Sequence, residues 1–597
     1  MNTTTRMVVR SLGVILAAGL LLSGCERRHR AAAPAAPPHL NVRHEIERLL
    51  DRTEALPLAD TTGAGRVWQR TEAAYRERHH HPLWSERNAL RPQAIELVHA
   101  IADAGRFGLD PSDYGLRGLQ RLYANALRRD SSTAWLEPRV LARFDVAASV
   151  ALLRLGEDLR HGRVEGDTLD ADWRRRPDEE FWPAWLERAA RESPDSLLAS
   201  LEPRSARYRA LETALARYRA VAAHGGWLEI PPGPPLTAGA RGLRVARLIR
   251  RLAATGELRG PVRDTVMDVA LVQAVGDFQT RNGIPRSGTV GDATRAVLNV
   301  PVADRIRTIG LNLERWRWLP DSLGARRVEV NIPAFRVELF RADTVTRAMR
   351  VVVGKRTNPT PVFTTRLTYL ELNPTWTLPP SVVFKEIIPA MHGKPAPYLA
   401  RNHMFVTRLA RGDTLDPALV EWKQVRVDSF PYLVVQRAGP DNPLGQIKLM
   451  CPNEYDVYLH DTPRRDRFVD AVRDYSHGCV RLSGAVELAD SLLELAPADS
   501  ARLTALIATG RWGRIHLPHA VPVHFLYWTA WADSGGAVHW RDDLYGVDDR
   551  LAHALRDHGG PPFALNPNVG ISQFWMADQQ RRAAEQEKKK KKAKPSG

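Results

Sequence analysis

The chain has 597 residues, 44% of them hydrophobic, so three or four folded units are expected and a wholly disordered protein is excluded. Its formal charge is +17, of which Lys588–Lys592 and Lys594 supply six; the remainder is scattered arginine with no recognisable nucleic-acid module, which excludes nucleic acid as a partner. Such a charge still draws the protein toward anionic envelope polymers by long-range attraction.

At the N-terminus Arg6 and Arg10 precede an apolar run from Leu12 to Leu22, too short to span a bilayer comfortably and patterned like an export signal. The run ends in Leu22-Ser23-Gly24-Cys25, which resembles the lipobox of bacterial lipoproteins. That resemblance implies a signal peptide over 1–24 and an acylated Cys25, whose chains anchor the protein by burying many CH₂ groups. Glu26 at the next position implies sorting to the outer membrane of a Gram-negative envelope. An ordinary secretory signal with an incidental cysteine is the competing reading. Residues 25–41 include Ala-Ala-Ala-Pro-Ala-Ala-Pro-Pro and form a stiff tether.

Over 42–225 apolar residues recur at three- and four-residue steps, as in Phe144, Ala147, Val150, Ala151 and Leu155, and again in Tyr208, Leu211, Leu215 and Tyr218. That period predicts amphipathic helices whose stripes are core packing rather than a cofactor surface. Gly225-Gly226 and Pro231-Pro232-Gly233-Pro234-Pro235 break the pattern and mark a boundary. Residues 236–302 then predict three short helices, around Val245–Leu252, Val269–Gln279 and Thr289–Leu298, with Asn282-Gly283 as a turn.

From Arg326 the period falls to two. Val328, Val330 and Ile332 alternate, as do Met349, Val351 and Val353, which predicts half-buried strands. Gly354–Pro361 reads as a loop, strands resume with Leu370, Leu372 and Trp376, and alternation is lost over about 382–428. A strand over Val457–Leu459 delivers His460 at its end, and Ser476–Cys479 is expected to turn into a helix over 486–495, whose dipole lowers the thiol pKa. Val521–Trp531 alternates and is expected to pair with Ala537–Trp540 across Asp533-Ser534-Gly535-Gly536, giving a hairpin extension over 511–560. Residues 561–597 are polar, Lys-rich and expected to be disordered.

The chemistry gathers at Ser476-His477-Gly478-Cys479-Val480-Arg481, with His460 nineteen positions before the cysteine. A thiolate is the nucleophilic form of cysteine, and an imidazole base generates it. Glycine before the cysteine lets the backbone approach a carbonyl, so that two N–H groups form an oxyanion hole. A small core cysteine is the competing reading for Cys479, and the expected one for Cys451; a Cys451–Cys479 disulfide is conceivable. The histidines, His79-His80-His81 among them, lack metal-ligand spacing, and no phosphate loop or dinucleotide fingerprint occurs, so no metal and no cofactor are expected.

His460 followed by Ser476-His477-Gly478-Cys479-Val480-Arg481 resembles the active-site signature of the L,D-transpeptidases of the YkuD fold. Asn312-Leu-Glu-Arg-Trp-Arg-Trp-Leu-Pro320 and Asn373-Pro-Thr-Trp-Thr-Leu-Pro-Pro-Ser381 resemble their large multidomain periplasmic branch. The resemblance implies a multidomain α+β protein: a helical scaffold domain (42–225), a small three-helix peptidoglycan-binding-like domain (236–302), and a mostly-β catalytic domain (303–510) with a capping insertion. It also implies Cys479 as nucleophile, His460 as base and the Asp461 carbonyl as the group orienting that imidazole. Gly478 and Cys479 N–H groups become the oxyanion hole, while Arg481, Ser476, His477 and Tyr458 line the substrate pocket. The implied substrate is a peptidoglycan tetrapeptide stem, with release of D-alanine and 3→3 cross-linking. Hydrolysis by an L,D-carboxypeptidase and an inert wall-binding lipoprotein are the alternatives; nothing in the sequence fixes an oligomeric state.

Overall fold

A computed structural model of the chain describes residues 41–52, 64–87, 89–127, 138–164, 180–258, 265–409 and 412–557. The expected signal peptide, Cys25, the expected tether up to residue 40 and the Lys-rich tail lie outside the described residues. No described helix is long and apolar enough to cross a membrane.

The first unit comprises α1 (Val42–Arg52), α2 (Ala64–Glu77), a small hairpin of β1 (Ser85–Glu86) and β2 (Ala89–Leu90), α3 (Pro92–Ala102), α4 (Leu116–Leu127), α5 (Pro138–His161), α6 (Phe181–Arg188) and α7 (Pro194–Ala199). α5 is its axis, burying Phe144, Ala147, Ala151 and Leu155 of the predicted stripe. Asp145 on the same helix is fully buried, and accepts from Tyr75 (2.7 Å), the Leu83 and Trp84 amides (2.7 and 3.0 Å) and Ser85 (3.1 Å). Four donors on one carboxyl meet the cost of burying it.

α8 (Ala206–Ala223) carries the second stripe but turns it away from that core. Tyr208, Leu211, Leu215 and Tyr218 pack instead in a separate core with a later helix and the C-terminal hairpin. Next come α9 (Leu243–Thr255), α10 (Val269–Arg281) and α11 (Asp292–Leu298). Here buried Gln279 donates to Ser287, Thr289 and Thr294 and accepts from the Ser287 and Gly288 amides, so this motif residue holds the three-helix unit together from inside.

α12 (Val302–Trp318) carries the Asn312–Trp318 string and is buried on every side there. Glu314 accepts from the Arg163 and Val164 amides and pairs with Arg317 at 3.0 Å. Arg317 also donates to the Phe107 carbonyl, while Arg315 pairs with Asp548 at 2.6 Å and Asn312 bonds Thr529. One helix is thus tied by charge to the first unit and to the C-terminal segment. Trp316 stacks on Trp528 at 4.8 Å, so the aromatics near the hairpin are packing groups.

The strands are β3 (Arg326–Asn331), β4 (Arg336–Arg341), β5 (Thr344–Gly354), β6 (Phe363–Leu372), β7 (Trp376–Thr377), β8 (Met404–Arg408), β9 (Thr414–Leu415), β10 (Tyr432–Gln436), β11 (Ile447–Met450), β12 (Leu459–His460), β13 (Asp474–Ser476), β14 (Val480–Leu482), β15 (Gly513–Leu526), β16 (Ala530–Ala532) and β17 (Val538–Trp540). A nine-stranded sheet runs β13-β5-β14-β12-β11-β6-β15-β3-β4, and a further β4–β5 pairing closes it on itself. α16 (Ala485–Leu493) packs on its core, followed by α17 (Pro497–Ala508) and finally α18 (Val547–Asp557).

Three expectations are corrected. Residues 513–526 are not part of a hairpin extension: β15 pairs with β6 on one side and β3 on the other, so the nine-stranded sheet runs past residue 510. The hairpin itself is only β16–β17, with Trp531 opposite His539. The insertion is wider than 382–428, because β7 and β10 belong to its own four-stranded sheet β7-β10-β8-β9, packed with the helical pieces α13 (Pro380–Val382), α14 (Ile388–Ala390) and α15 (Pro395–Arg401). Trp376 therefore belongs to the cap. Finally, the turn at Cys479 enters strand β14 and not a helix, so no helix N-terminus directly follows the thiol.

Two outcomes are expected. Glu314→Ala leaves buried Arg317 without its carboxylate and is expected to destabilise the protein by about 3–5 kcal/mol, read by denaturant unfolding. A chain ended after residue 510 loses β15 and is expected to show no cooperative unfolding transition by circular dichroism, whereas the chain ending at 557 does.

Candidate functional site

Side chains alternate across a strand, so register decides which residues share a face. Leu370, Leu449, Leu459, Val480 and Leu482 point into the core. The opposite parity faces outward. Across neighbouring strands one row reads Arg514, Glu371, Lys448, His460 and Arg481, each paired in register with the next. One step along, Tyr458 stands beside Cys479, its carbonyl accepting the Val480 amide at 3.0 Å. Adjacent strands lie about 4.8 Å apart, so Cys479, His460, Arg481, Tyr458 and Lys448 form one cluster on the outer face.

His460 is 3% exposed, and its Nδ1 lies 2.5 Å from the Asp461 carbonyl. A carbonyl only accepts, so Nδ1 carries the proton and Nε2 is left as the basic nitrogen. Burial pushes the imidazole pKa down to about 3, and the nearby Arg481 and Lys448 charges push the same way. The Asp461 carboxylate accepts from the Gln446 amide at 2.9 Å and pairs with Arg465, which fixes the carbonyl beside the ring.

Cys479 is partly exposed and Cys451 buried; both are free. The Cys479 thiol donates to the Asp456 carbonyl at 3.7 Å rather than to the imidazole. Asp456 reaches that position with a left-handed backbone, φ 53°, in a loop that Asn453 ties by accepting from the Tyr455 and Val457 amides. Contrary to the expected dipole effect, the thiol pKa is raised by burial, offset in part by hydrogen bonding from Tyr458 and by the charges of Lys448 and Arg481. Cys451 donates to the Val457 carbonyl at 3.4 Å, and burial pushes its thiol up to about 12, which suits a packing role.

Gly478 has φ +122°, a conformation that favours glycine. Its N–H is engaged by the Ser476 hydroxyl at 3.1 Å, and Ser476 donates in turn to the Cys479 carbonyl at 2.5 Å. One of the two expected oxyanion donors is thereby engaged within the chain, and Ser476 braces the turn. His477 points away from the sulfur into a contact with the cap, its Nε2 lying 2.7 Å from Glu386 and 3.2 Å from Lys355. Glu386 sits in a π-helical turn, Val383–Ile387, just ahead of Pro389, whose missing N–H disrupts the ordinary helical ladder.

Arg481 makes no hydrogen bond or ion pair among the described residues, and its Nε is buried without a partner. Lys448, which sequence reasoning passed over, places its ammonium 3.9 Å from the Tyr458 ring centre and 3.9 Å from Glu371. Its parity between Ile447 and Leu449 was the available signal. Among the described residues no group of three or more His, Cys, Asp or Glu is gathered as a metal would require.

Three parts of the chain match models of known families. Residues 69–215 match the model of a "Scaffold domain", 241–298 that of a "Putative peptidoglycan binding domain", and 325–510 that of the "L,D-transpeptidase catalytic domain". These consecutive matches define a multidomain protein. Residues 325–510 are thus similar to the catalytic domain of the L,D-transpeptidases of the YkuD family. A "Putative L,D-transpeptidase" of Haemophilus influenzae is 31% identical over 243 residues, 41% of this chain, and the match spans about half (48%) of that relative's length. Among solved structures, an L,D-transpeptidase from Stackebrandtia nassauensis aligns with 49% of this chain and 97% of its own, at 14% identity and a TM-score of 0.20. One from Mycobacterium smegmatis aligns with 34% of this chain and 58% of its own, at 15% identity and a TM-score of 0.17. The likeness rests on the sequence matches.

The two neutral groups predict a particular pH response. With imidazole uncharged above about pH 3 and the thiol held above its ordinary range, no thiolate–imidazolium pair forms at rest. Alkylation of Cys479 by iodoacetamide is expected to accelerate steadily with pH through 9, with no plateau near neutrality, followed by mass spectrometry.

Proposed function

We propose that this protein is an L,D-transpeptidase acting through a Cys479 thioester on peptidoglycan tetrapeptide stems. The observation that carries the reading is the shared outer face of β12 and β14, which joins a partly exposed cysteine to a histidine whose Nδ1 is already committed. In the first half-reaction sulfur attacks the carbonyl of the third stem residue, while His460 Nε2 takes the thiol proton. The C–N bond to D-alanine breaks, the histidine protonates the departing amine, and a thioester remains. In the second, the side-chain amine of a neighbouring diaminopimelate attacks the thioester, its proton passes through His460, and the C–S bond breaks to restore the thiol.

The Cys479 N–H serves the oxyanion, and the half-buried Arg481 guanidinium, whose Nε is buried without a partner, serves a stem carboxylate. Asp461 orients the base through its carbonyl. Tyr458 and Ser476 shape the pocket, and His477 belongs to its rim and to the cap contact. The thiol leaves the Asp456 carbonyl and turns toward the imidazole when substrate enters. We further infer that the three-helix unit contacts peptidoglycan and that Cys25 anchors the chain, as a lipoprotein, in the outer membrane.

Tetrapeptide muropeptides incubated with each variant and analysed by mass spectrometry test this. Wild-type protein is expected to release D-alanine and give cross-linked dimers; Cys479→Ala gives none, and His460→Ala slows release by about 10²–10⁴-fold. His477→Ala is expected to retain release. Tripeptides without dimers identify an L,D-carboxypeptidase. No change dependent on Cys479 identifies an inert wall-binding lipoprotein.

A further inference from the structure

The nucleophile turn is gripped from a direction that the active-site motif does not include. Thr360, 1% exposed, donates from its hydroxyl to the Gly478 carbonyl at 2.7 Å and accepts from the Gly354 amide at 2.9 Å. Gly354 permits this: a Cβ there would overlap the Asn358 carbonyl and stand 2.7 Å from the Thr360 nitrogen. Tyr545, from the segment between the hairpin and α18, closes the same loop by donating to the Gly354 carbonyl at 2.5 Å and accepting from the Thr360 amide at 3.3 Å.

Tyr545 is itself fixed. Its amide donates to the Tyr527 hydroxyl at 2.7 Å, which donates to Asp543 at 2.7 Å, and Asp543 caps α18 by accepting the Val547 and Asp548 amides. Asp548 is the partner of Arg315 on α12. A continuous set of polar contacts therefore runs from the buried helix to the residue before the nucleophile.

The Gly478 carbonyl and the Cys479 N–H belong to one peptide group. In a planar trans peptide the two point in opposite directions, so gripping the oxygen aims the hydrogen. We propose that Thr360 and Tyr545 are positioning residues that aim the Cys479 N–H at the developing oxyanion, linking the C-terminal segment to acyl transfer. The inference rests on the transpeptidase reading, and concerns residues that never touch substrate.

The test compares two reactions of one sulfur. Release of D-alanine from a tetrapeptide passes through an oxyanion; alkylation by iodoacetamide does not. Thr360→Val and Tyr545→Phe are expected to lower the kcat of release about tenfold or more with KM and alkylation rate within about twofold of wild type, and Thr360→Ser to restore kcat. Unchanged kcat in both Thr360→Val and Tyr545→Phe overturns the proposal, as does a parallel loss of release and alkylation that Thr360→Ser does not rescue. If wild-type protein is alkylated at Cys479 yet releases no D-alanine, the transpeptidase reading falls, and this one with it.

Discussion

Buried charge on α12 is the constraint on which the remaining architecture depends. Arg315, Arg317 and Glu314 are each no more than 2% exposed. Unpaired, such groups would cost several kcal/mol apiece, so each demands a partner of opposite charge or a hydrogen-bonding carbonyl or amide. The partners lie in different parts of the chain: Phe107 and residues 163–164 from the helical unit, Asp548 from the C-terminal helix. Apolar contacts tolerate sliding, whereas these pairs require one relative placement of the units. The neighbouring Arg207–Glu329 bridge, at 2.7 Å, extends the same logic to the first strand of the sheet.

The sheet turns that rigidity into a chemically quiet site. Lys448, His460 and Arg481 stand side by side, and two cations flanking an imidazole disfavour its protonated form. The same cations favour a thiolate at Cys479, but burial outweighs them. The outcome is a thiol and an imidazole that are both uncharged at rest, with the sulfur held on a carbonyl. A thiol held uncharged in this way reacts more slowly with alkylating agents than a thiolate would.

Much of this was legible from the residues. Period 3.6 located α5 and α8, period two located β3 and β5, and the spacing of His460 and Cys479 singled out the pair that register sets on one face. What escaped had physical reasons. β15 carries Pro518 and Pro522 and a register shift between His516 and Val521, so its alternation is broken and the Asp-Ser-Gly-Gly turn after it dominated the reading. Burial on both faces of β3 arises because Glu329 is paired to Arg207 and Arg327, long-range contacts with no local sign. The fate of the Gly478 N–H depended on a serine rotamer two residues away. The tethered loop under Asp456 required an aspartate in a left-handed conformation, which spacing does not announce.

The central place of β15 bears on how the protein is made. It inserts between β6 and β3, and its pairing with β3 is parallel, across nearly two hundred intervening residues, Val523 opposite Val328. Contacts so distant along the chain form late and slowly. Until Leu526 has emerged during synthesis, β3 and β6 each present an unsatisfied edge to their surroundings, with the cysteine already polymerised upstream. The sheet that carries the reactive face is consequently complete only once β15 has covered both of those edges.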